Sequence, residues 1–386
     1  MIDKPIPYGR QYITDEDVEA VIETLKSDYL TQGPKIREFE EAFAQYVGAK
    51  YGVAVNNATA GLHLGATVLN VQPKDKIIVT PLTFAASANC VRYCGGDVVF
   101  CDIDPNTYLI DINKLKTILE SHPQGTFKGI IPVDFAGYPV NLETIRVLAK
   151  EYNLWIMEDA CHAPGGYFTD CKGIKQYCGN GQFADIAVFS FHPVKHIATG
   201  EGGMITTNNK ELYDKLCLYR THGITKDPVK LHENHGGWYY EMQELGYNYR
   251  MTDFQAALGI SQLHRASDGL KCRQIIARRY DEAFKNISKI RIPYRSGDVL
   301  HAFHLYIIQV ENRLELYNYL QKNKICTQVH YEPLHLMPYY QDLGSKLGDF
   351  PIVEEYYKHC LSLPMYPTLT ENEQEYIIRK VIEFVQ

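Results

Sequence analysis

The sequence predicts an α/β protein with a mostly parallel sheet flanked by helices, followed by a smaller α+β unit. From about residue 51 to 210, short apolar runs rich in β-branched residues alternate with helical patterns, which is typical of parallel sheets covered by helices. Beyond residue 250 a long helical stretch precedes a few mixed elements. We therefore expect a large α/β domain at residues 1–250, and linking helices with a small C-terminal α+β domain at residues 251–386.

The predicted strands each precede a loop or a helix. In chain order the first part reads YGVAV and helix 58–69, KIIVT and helix 84–94, DVVFCDI and helix 111–120, GIIPVDF and helix 141–151, then LWIMEDA, IAVFSF and GMITT. In the second part, helical patterns at about 252–286 and 312–322 flank the strand HLYIIQV, and Thr252 is a plausible N-cap. Ligands of such sheets bind beyond the carboxyl ends of the strands. The loops NNATAGL, PLTFAA, VDFAGYP, EDACHAPG and SFHPVKH are therefore expected to face one crevice.

Composition and charge exclude several classes of function. The 386 residues carry a net charge of −7 with both signs mixed, so we predict no nucleic-acid partner. The amino terminus lacks a signal-peptide pattern and no run of about 18 apolar residues occurs, which predicts a cytoplasmic protein that does not span a membrane. Ten scattered cysteines without a CxxC pair indicate free thiols. Cys171 and Cys178 are close enough in sequence for half of a zinc site, but ordinary thiols fit better, and no metal is predicted.

One lysine and one aspartate carry the chemical prediction. Lys195 leaves a strand after Pro193 and precedes the glycine-rich TGEGG, a setting in which a lysine becomes a nucleophile through burial or a Schiff base. Asp159 follows an apolar run, so its carboxylate needs a cationic partner unless it caps a helix. A Schiff-base lysine with an aspartate at the ring nitrogen is the electron-sink arrangement of pyridoxal phosphate.

Other loop residues fit the remaining parts of that cofactor. Ala58 and Thr59 begin a predicted helix, where backbone N–H groups bind phosphate, and Ser190 lies on the strand before Lys195. Phe84 and His162 follow strands and would flank a planar ring, although an aromatic residue at such a place is also typical of an ordinary core. The long irregular segment 223–246 is predicted to be functional because such loops rarely lack a role.

Several motifs together resemble one known family. The stretches EDACHA, FSFHPVKHIATGEGG, LYRTHG and GYNYRMTDFQAALG are similar to the DegT/DnrJ/EryC1/StrS sugar-nucleotide aminotransferases, and the resemblance extends over essentially the whole chain. It implies a fold-type-I enzyme that uses pyridoxal 5'-phosphate, present as pyridoxamine phosphate during turnover. It also implies a homodimer with active sites shared between subunits.

The resemblance assigns roles to individual residues. It implies that Lys195 binds the cofactor covalently and that Asp159 contacts the pyridine nitrogen. It further implies that Asn248 reaches the phosphate of the neighbouring subunit's cofactor. The same comparison gives phosphate contacts to Ala58, Thr59 and Ser190 and ring stacking to Phe84 and His162. Our candidates for the sugar and diphosphate are His192, His330, Tyr331, Thr31, Gln32 and Arg220, the last of which is equally well explained as a salt-bridge residue.

Within the family, SFHPVKHIATGEGG and TQVHYEPLHLMPYY are most similar to the C4 aminotransferases of pseudaminic acid biosynthesis. This implies transfer of the amino group of L-glutamate to UDP-2-acetamido-2,6-dideoxy-β-L-arabino-hexos-4-ulose, giving UDP-4-amino-4,6-dideoxy-N-acetyl-β-L-altrosamine. The chain departs from the pattern at Ala198 and in the segments TDCKGIKQYCGNGQF and DPVKLHENHGGWYYEMQE.

Alternative readings remain open at this point. Two alternatives keep the cofactor and change the sugar: a C4 aminotransferase for a D-configured 4-keto sugar, and a C3 aminotransferase for a dTDP-linked sugar. A related dehydratase replaces the lysine by histidine, so Lys195 argues against that reading. An NAD-dependent sugar oxidoreductase would show GxGxxG after its first strand, and this sequence lacks it. A regulator would need an additional DNA-binding module, for which the chain has no spare length.

Overall fold

A computed structural model describes residues 4–386 of the chain. The helices are α1 (Asp15–Leu25), α2 (Pro34–Val47), α3 (Ala58–Val68), α4 (Ala86–Tyr93), α5 (Ile112–Glu120), α6 (Leu142–Glu151), α7 (Lys210–Arg220), α8 (Asp253–His264), α9 (Ala266–Phe284), α10 (Arg313–Lys322), α11 (Pro338–Asp342), α12 (Pro351–His359) and α13 (Glu371–Val385). The strands are β1 (Tyr51–Val55), β2 (Lys76–Val79), β3 (Asp97–Phe100), β4 (Phe127–Ile131), β5 (Trp155–Asp159), β6 (Tyr167–Thr169), β7 (Lys175–Tyr177), β8 (Ile186–Ser190), β9 (Gly203–Thr207), β10 (Ile224–Thr225), β11 (Glu241–Met242), β12 (Val299–Leu300), β13 (Tyr306–Gln309) and β14 (Cys360–Leu363).

Seven strands form the main sheet in the order β1-β9-β8-β5-β4-β2-β3. All of them run parallel except β9, which is antiparallel to both of its neighbours. The mostly parallel α/β fold predicted from the sequence is confirmed. The reversal at β9 arises because residues 191–202 join β8 to β9 without an intervening helix, whereas parallel neighbours need a crossover.

Helices cover both faces of this sheet. On one face α3 packs against β8 and β9, and its apolar core includes Val53, Ile77 and Val188. The core on the other face includes Phe43 of α2 and Phe189 of β8. All five residues of β8 are buried, as expected for a strand covered on both sides. Because both faces of the sheet are covered, a ligand can reach these strands at the edge of the sheet where the connecting loops lie.

The carboxyl-terminal part contains a second core. The antiparallel pair β13 and β14 packs with α9, α10 and α13, and the core between them includes Tyr280, Ile308 and Ile377. Ile6 lies in this same core, and its N–H donates to the carbonyl of Lys324 at 2.8 Å. The residues before α1 thus pack on the carboxyl-terminal unit.

Two small sheets complete the architecture. The atypical segment at 169–183 contributes β7 to the sheet β12-β6-β7, and the long segment 223–246 holds the pair β10 and β11. None of the helices within residues 4–386 combines the length and the apolar character that a membrane crossing requires.

Candidate active site

A cavity of about 780 Å³ opens at the carboxyl ends of the parallel strands. Its walls come from the loops after β1, β2, β5 and β8, together with residues 328–331 of the carboxyl-terminal unit. The residues predicted from the sequence that line it are Ala58, Thr59, Phe84, Asp159, His162, Ser190, His192, Lys195, His330 and Tyr331. Loops far apart in the sequence meet here because parallel strands end at the same edge.

Lys195 lies in the loop that joins β8 to β9. The loop is held by backbone bonds: the Lys195 N–H donates to the carbonyl of His192 at 2.8 Å, and the Phe191 N–H donates to that of Gly202 at 2.9 Å. Burial lowers the pKa of Lys195 from 10.5 to about 8, although the nearby Cys161 and Asp159 oppose this change. A substantial neutral fraction near pH 8 makes the Lys195 amine a usable nucleophile and base.

Asp159 ends β5 and its carboxylate is held by hydrogen bonds. Ser87 Oγ donates to Asp159 Oδ2 at 2.5 Å, and the Cys161 N–H donates to Oδ1 at 3.2 Å. Thr83 Oγ1 lies 2.7 Å from Ser87 Oγ, so a short polar chain supports the acid from α4. The alternative of a helix N-cap does not apply, since no helix begins at residue 160.

His162 and Phe84 occupy the cavity with different exposure. The His162 ring is buried, and burial together with Lys195 keeps its pKa well below the usual range. His162 Nδ1 accepts from the Ala136 N–H at 3.2 Å, so the proton is assigned to Nε2, which lies 3.4 Å from Tyr331 Oη. Phe84 is 60% exposed and its ring centroid lies 6.3 Å from that of Tyr331. An exposed aromatic ring at a cavity is available to stack on a planar ligand.

The amino terminus of α3 points at the same cavity. Asn57 caps the helix by accepting from the Ala60 N–H at 2.8 Å, while the first N–H groups of any helix lack an intrahelical acceptor. Gly203 lies against this turn, and a Cβ there would be 2.8 Å from the Ala58 nitrogen. Together with Ser190, this turn forms a site suited to a phosphate.

These groups fit pyridoxal phosphate. The cavity offers a half-buried amine with a lowered pKa, a hydrogen-bonded carboxylate, an anion site at a helix amino terminus and an exposed aromatic ring. Each matches one part of the cofactor: the aldehyde, the ring nitrogen, the phosphate and the ring face.

The candidates for substrate binding are distributed unevenly. His330 lines the cavity; its Nδ1 lies 2.8 Å from Ser362 Oγ, and burial lowers its pKa to about 3. Burial also raises the pKa of the Tyr331 phenol above its usual range. Both side chains are therefore neutral hydrogen-bonding groups near neutral pH. His192 lies exposed at the rim of the cavity.

The other predicted residues lie outside this cavity. Thr31 and Gln32 are exposed between α1 and α2, where Thr31 pairs with Thr252. Asn248 is exposed in a loop that bridges to Thr221. Arg220 is largely buried and forms an ion pair with Glu40, as well as a 2.7 Å hydrogen bond to the carbonyl of Ala54. Arg220 thus joins α7 to α2 and β1, which agrees with the interpretation of Arg220 as a salt-bridge residue.

Several residues of the site were not predicted from the sequence. His304, Tyr8 and Gln328 line the cavity, and His304 contacts Lys195. Ser87 lies behind the cavity wall and contacts Asp159. The signal for His304 is a histidine at the start of the apolar strand HLYIIQV, where a polar ring needs a partner. Ser87 offers no such signal, because small hydroxyl residues are common in a first helical turn.

A buried acidic group lies near β5. Asp134, Glu158 and Cys178 have potential ligand atoms that all lie within 4.8 Å of one another. Burial raises the pKa of Asp134 to about 7 and that of Glu158 well above its usual range. The two carboxyl groups therefore retain protons more readily than exposed acids, and shared protons account for their proximity. All ten cysteines are free thiols.

Comparison with known proteins agrees with this site. The model of the DegT/DnrJ/EryC1/StrS aminotransferase family matches residues 11–382. The spore coat polysaccharide biosynthesis protein SpsC of Bacillus subtilis is 39% identical over 99% of this chain and 97% of its own. The UDP-4-amino-4,6-dideoxy-N-acetyl-beta-L-altrosamine transaminase of Campylobacter jejuni is 37% identical over 96% of this chain and 95% of its own.

Solved structures give the same result. Streptococcus pneumoniae Spr1654, described as a sugar aminotransferase in its PLP-form, has a TM-score of 0.88 at 31% identity over 99% of this chain and 100% of its own. Helicobacter pylori PseC, described as an aminotransferase of pseudoaminic acid biosynthesis, has a TM-score of 0.88 at 31% identity over 98% of this chain and 99% of its own.

The sheet, the lysine loop and these neighbours define a fold-type-I aminotransferase. The chain belongs to the DegT/DnrJ/EryC1/StrS aminotransferase family and is a sugar-nucleotide aminotransferase. The family predicted from the sequence motifs is thereby confirmed.

Proposed function

We propose that this enzyme uses pyridoxal phosphate to move the amino group of L-glutamate to C4 of UDP-2-acetamido-2,6-dideoxy-β-L-arabino-hexos-4-ulose. The product is UDP-4-amino-4,6-dideoxy-N-acetyl-β-L-altrosamine, a precursor for pseudaminic acid. The observation that carries the aminotransferase chemistry is the meeting of Lys195, with its lowered pKa, and Asp159 in one cavity. The sugar is supported by the Campylobacter transaminase and by PseC.

Each cavity residue has a part in this proposal. Pyridoxal phosphate, when bound, supplies an electron sink for negative charge that develops next to the transferred nitrogen. Lys195 Nζ removes the proton from Cα of glutamate and later delivers one to C4 of the sugar. Asp159 would keep the ring nitrogen protonated. Ala58, Thr59 and Ser190 would hold the phosphate, and Phe84 and His162 would flank the ring.

Substrate recognition follows from the neutral polar groups of the cavity. His330 and Tyr331 offer hydrogen bonds to the sugar, and His192 lies at the rim where the diphosphate would enter. Thr31, Gln32 and Asn248 are exposed in this chain, so we assign them to the neighbouring subunit's site in a homodimer. The cytoplasmic location remains a prediction from the sequence.

The test is a spectrum followed by an assay. Purified protein reconstituted with pyridoxal phosphate is expected to show a visible cofactor band that bleaches with L-glutamate and returns on addition of the UDP-linked 4-keto-L-sugar, with the aminated product found by mass spectrometry. Lys195→Ala is the matched control and should lack both changes. A band that bleaches but returns only with a D-configured or dTDP-linked keto sugar would keep the aminotransferase and replace the substrate. No band after reconstitution would refute the role of Lys195.

A further inference from the structure

His304 brings a ring from the carboxyl-terminal half of the chain to the amine of Lys195. Its Nε2 lies 3.4 Å from Lys195 Nζ, and the residue is 4% exposed. The ring also lies 4.4 Å, centroid to centroid, from the ring of His162. His304 Nδ1 has no hydrogen-bond partner within residues 4–386. The contact with Lys195 is therefore the hydrogen bond that the His304 side chain makes in the described part of the protein.

The backbone on either side of His304 is held firmly. Phe303 has φ of 50°, a left-handed conformation that is costly for an aromatic residue and tends to persist at functional sites. Arg273 Nη1 donates to the carbonyls of Phe303 at 3.0 Å, His304 at 3.2 Å and Met365 at 3.0 Å. Arg273 is 1% exposed, and no carboxylate within residues 4–386 offsets the cost of burying its charge.

Such a buried arginine is expensive to desolvate. Its hydrogen bonds converge on the peptide that carries His304, which fixes the position of the ring. The neighbouring backbone is tied as well, since the Ala302 N–H donates to Gly137 O at 2.6 Å and the Leu305 N–H to Ala136 O at 3.1 Å. A ring that needed only to fill space would not require this support.

Charged groups and neutral histidine rings surround the Lys195 amine. Asp159 and Cys161 face the amine and favour its protonated form, whereas Arg273 disfavours it. Burial keeps the pKa values of His162, His196, His304 and His330 far below the usual range, and Lys195 lowers them further. These four rings are thus uncharged near neutral pH.

We infer that His304 is a positioning residue that accepts a hydrogen bond from Lys195 Nζ whenever the lysine is not bonded to the cofactor. It thereby aims the amine and raises its affinity for a proton. The inference rests on the proposed role of Lys195 as the cofactor-binding base. It predicts that the His304 ring changes the pKa of Lys195 even in the cofactor-free protein, where no reaction takes place.

The test measures the pKa of Lys195 in the apoenzyme. Competitive labelling with acetic anhydride over a pH series, read by peptide mass spectrometry, gives the pKa of this single amine. His304→Phe keeps a ring but removes the acceptor, so the pKa of Lys195 is expected to fall by about one pH unit, the value of a charge-assisted hydrogen bond. His304→Asn is too short to reach Nζ and should act in the same direction, whereas His304→Gln keeps an acceptor and should restore most of the pKa.

His301→Asn is the matched control. His301 is a buried ring on the same segment, and its Nδ1 accepts from the Phe303 N–H at 2.9 Å. The asparagine oxygen keeps an acceptor for that N–H while the ring is lost. An unchanged Lys195 pKa in this variant, with lowered values in His304→Phe and His304→Asn, would support the inference. An unchanged value in both His304→Phe and His304→Asn, or an equal fall in His301→Asn, would overturn it. These results do not depend on the cofactor band, so they are separate from a failure of the proposed function.

Discussion

Ser87 Oγ donates a hydrogen bond of 2.5 Å to Asp159 Oδ2, joining the first turn of α4 to the end of β5 across 72 residues of sequence. Both side chains are buried. An ionised carboxylate in such a place needs donors to remain charged. Ser87 therefore stabilises the carboxylate that the proposed function places beside a protonated ring nitrogen.

Ser87→Ala is expected to weaken binding of pyridoxal phosphate by about 10- to 150-fold, because hydrogen bonds to charged groups contribute about 1.5–3 kcal/mol. Absorbance titration of the apoprotein measures this affinity. Ser121→Ala removes an exposed hydroxyl that bonds to the carbonyl of Ile118, and it should leave the affinity unchanged. Equal affinities for Ser87→Ala and the wild type would show that Asp159 does not depend on this donor.

Arg220 is expected to act on stability. Removing it leaves Glu40, only 8% exposed, without its ionic partner. Arg220→Ala should therefore lower the free energy of unfolding by about 3–5 kcal/mol. Denaturant titration checks this. Arg37→Ala breaks the exposed pair with Glu41 on the same helix, α2, and should cost less than about 1 kcal/mol. If the Arg220→Ala protein were as stable as the wild type and had a raised KM for the sugar, Arg220 would instead be a substrate-binding residue.

The fold was predicted well from the sequence because the spacing of apolar residues and the residue types in loops are local properties of the chain. Apolar runs indicated the strands of the main sheet. Ligands of such sheets bind beyond the strand ends, which predicted that Lys195, Asp159 and Ala58 face one crevice, and all three line the same cavity. The antiparallel direction of β9 was not predicted, because strand direction depends on the length of the connection to β8 and leaves no mark in the strand itself.

The missed residues depend on contacts between distant segments. His304 and Tyr8 reach the cavity from the carboxyl-terminal unit and from the residues before α1, which pack together around Ile6. Arg220 and Asn248 lie in motifs typical of the family, but a motif does not show where a side chain points. In this chain one forms a buried ion pair and the other is exposed.

Asp134 is expected to make stability depend on pH. Burial raises its pKa from 3.8 to about 7 in the folded chain, so the folded state binds this proton more tightly than the unfolded state. Stability should then fall as the pH rises from about 4 to 7, by about 2–4 kcal/mol in total, and change little above that range.

Asp134→Asn removes this titration while keeping an oxygen that can accept from the Val140 N–H, a bond of 2.8 Å in the native protein. Denaturant titrations between pH 5 and 8 should show a smaller slope for this variant; some slope remains because the Glu158 pKa is also raised. Asp268→Asn changes an exposed acid and should keep the native slope. An undiminished slope in Asp134→Asn would mean that Asp134 is ionised throughout this range.

Sharing of active sites between subunits can be tested by mixing two inactive variants. Lys195→Ala lacks the amine, and Asn248→Ala lacks the exposed side chain that we assign to the neighbouring subunit's phosphate. Each variant alone should have little activity. After unfolding and refolding as an equal mixture, half of the dimers would be mixed, and each of these would contain one site with both residues intact. About one quarter of wild-type activity should return, measured as turnover of the keto sugar with glutamate. If Asn248 instead acted in the site of its own chain, every site in a mixed dimer would lack either Lys195 or Asn248. The mixture would then be as inactive as each variant alone.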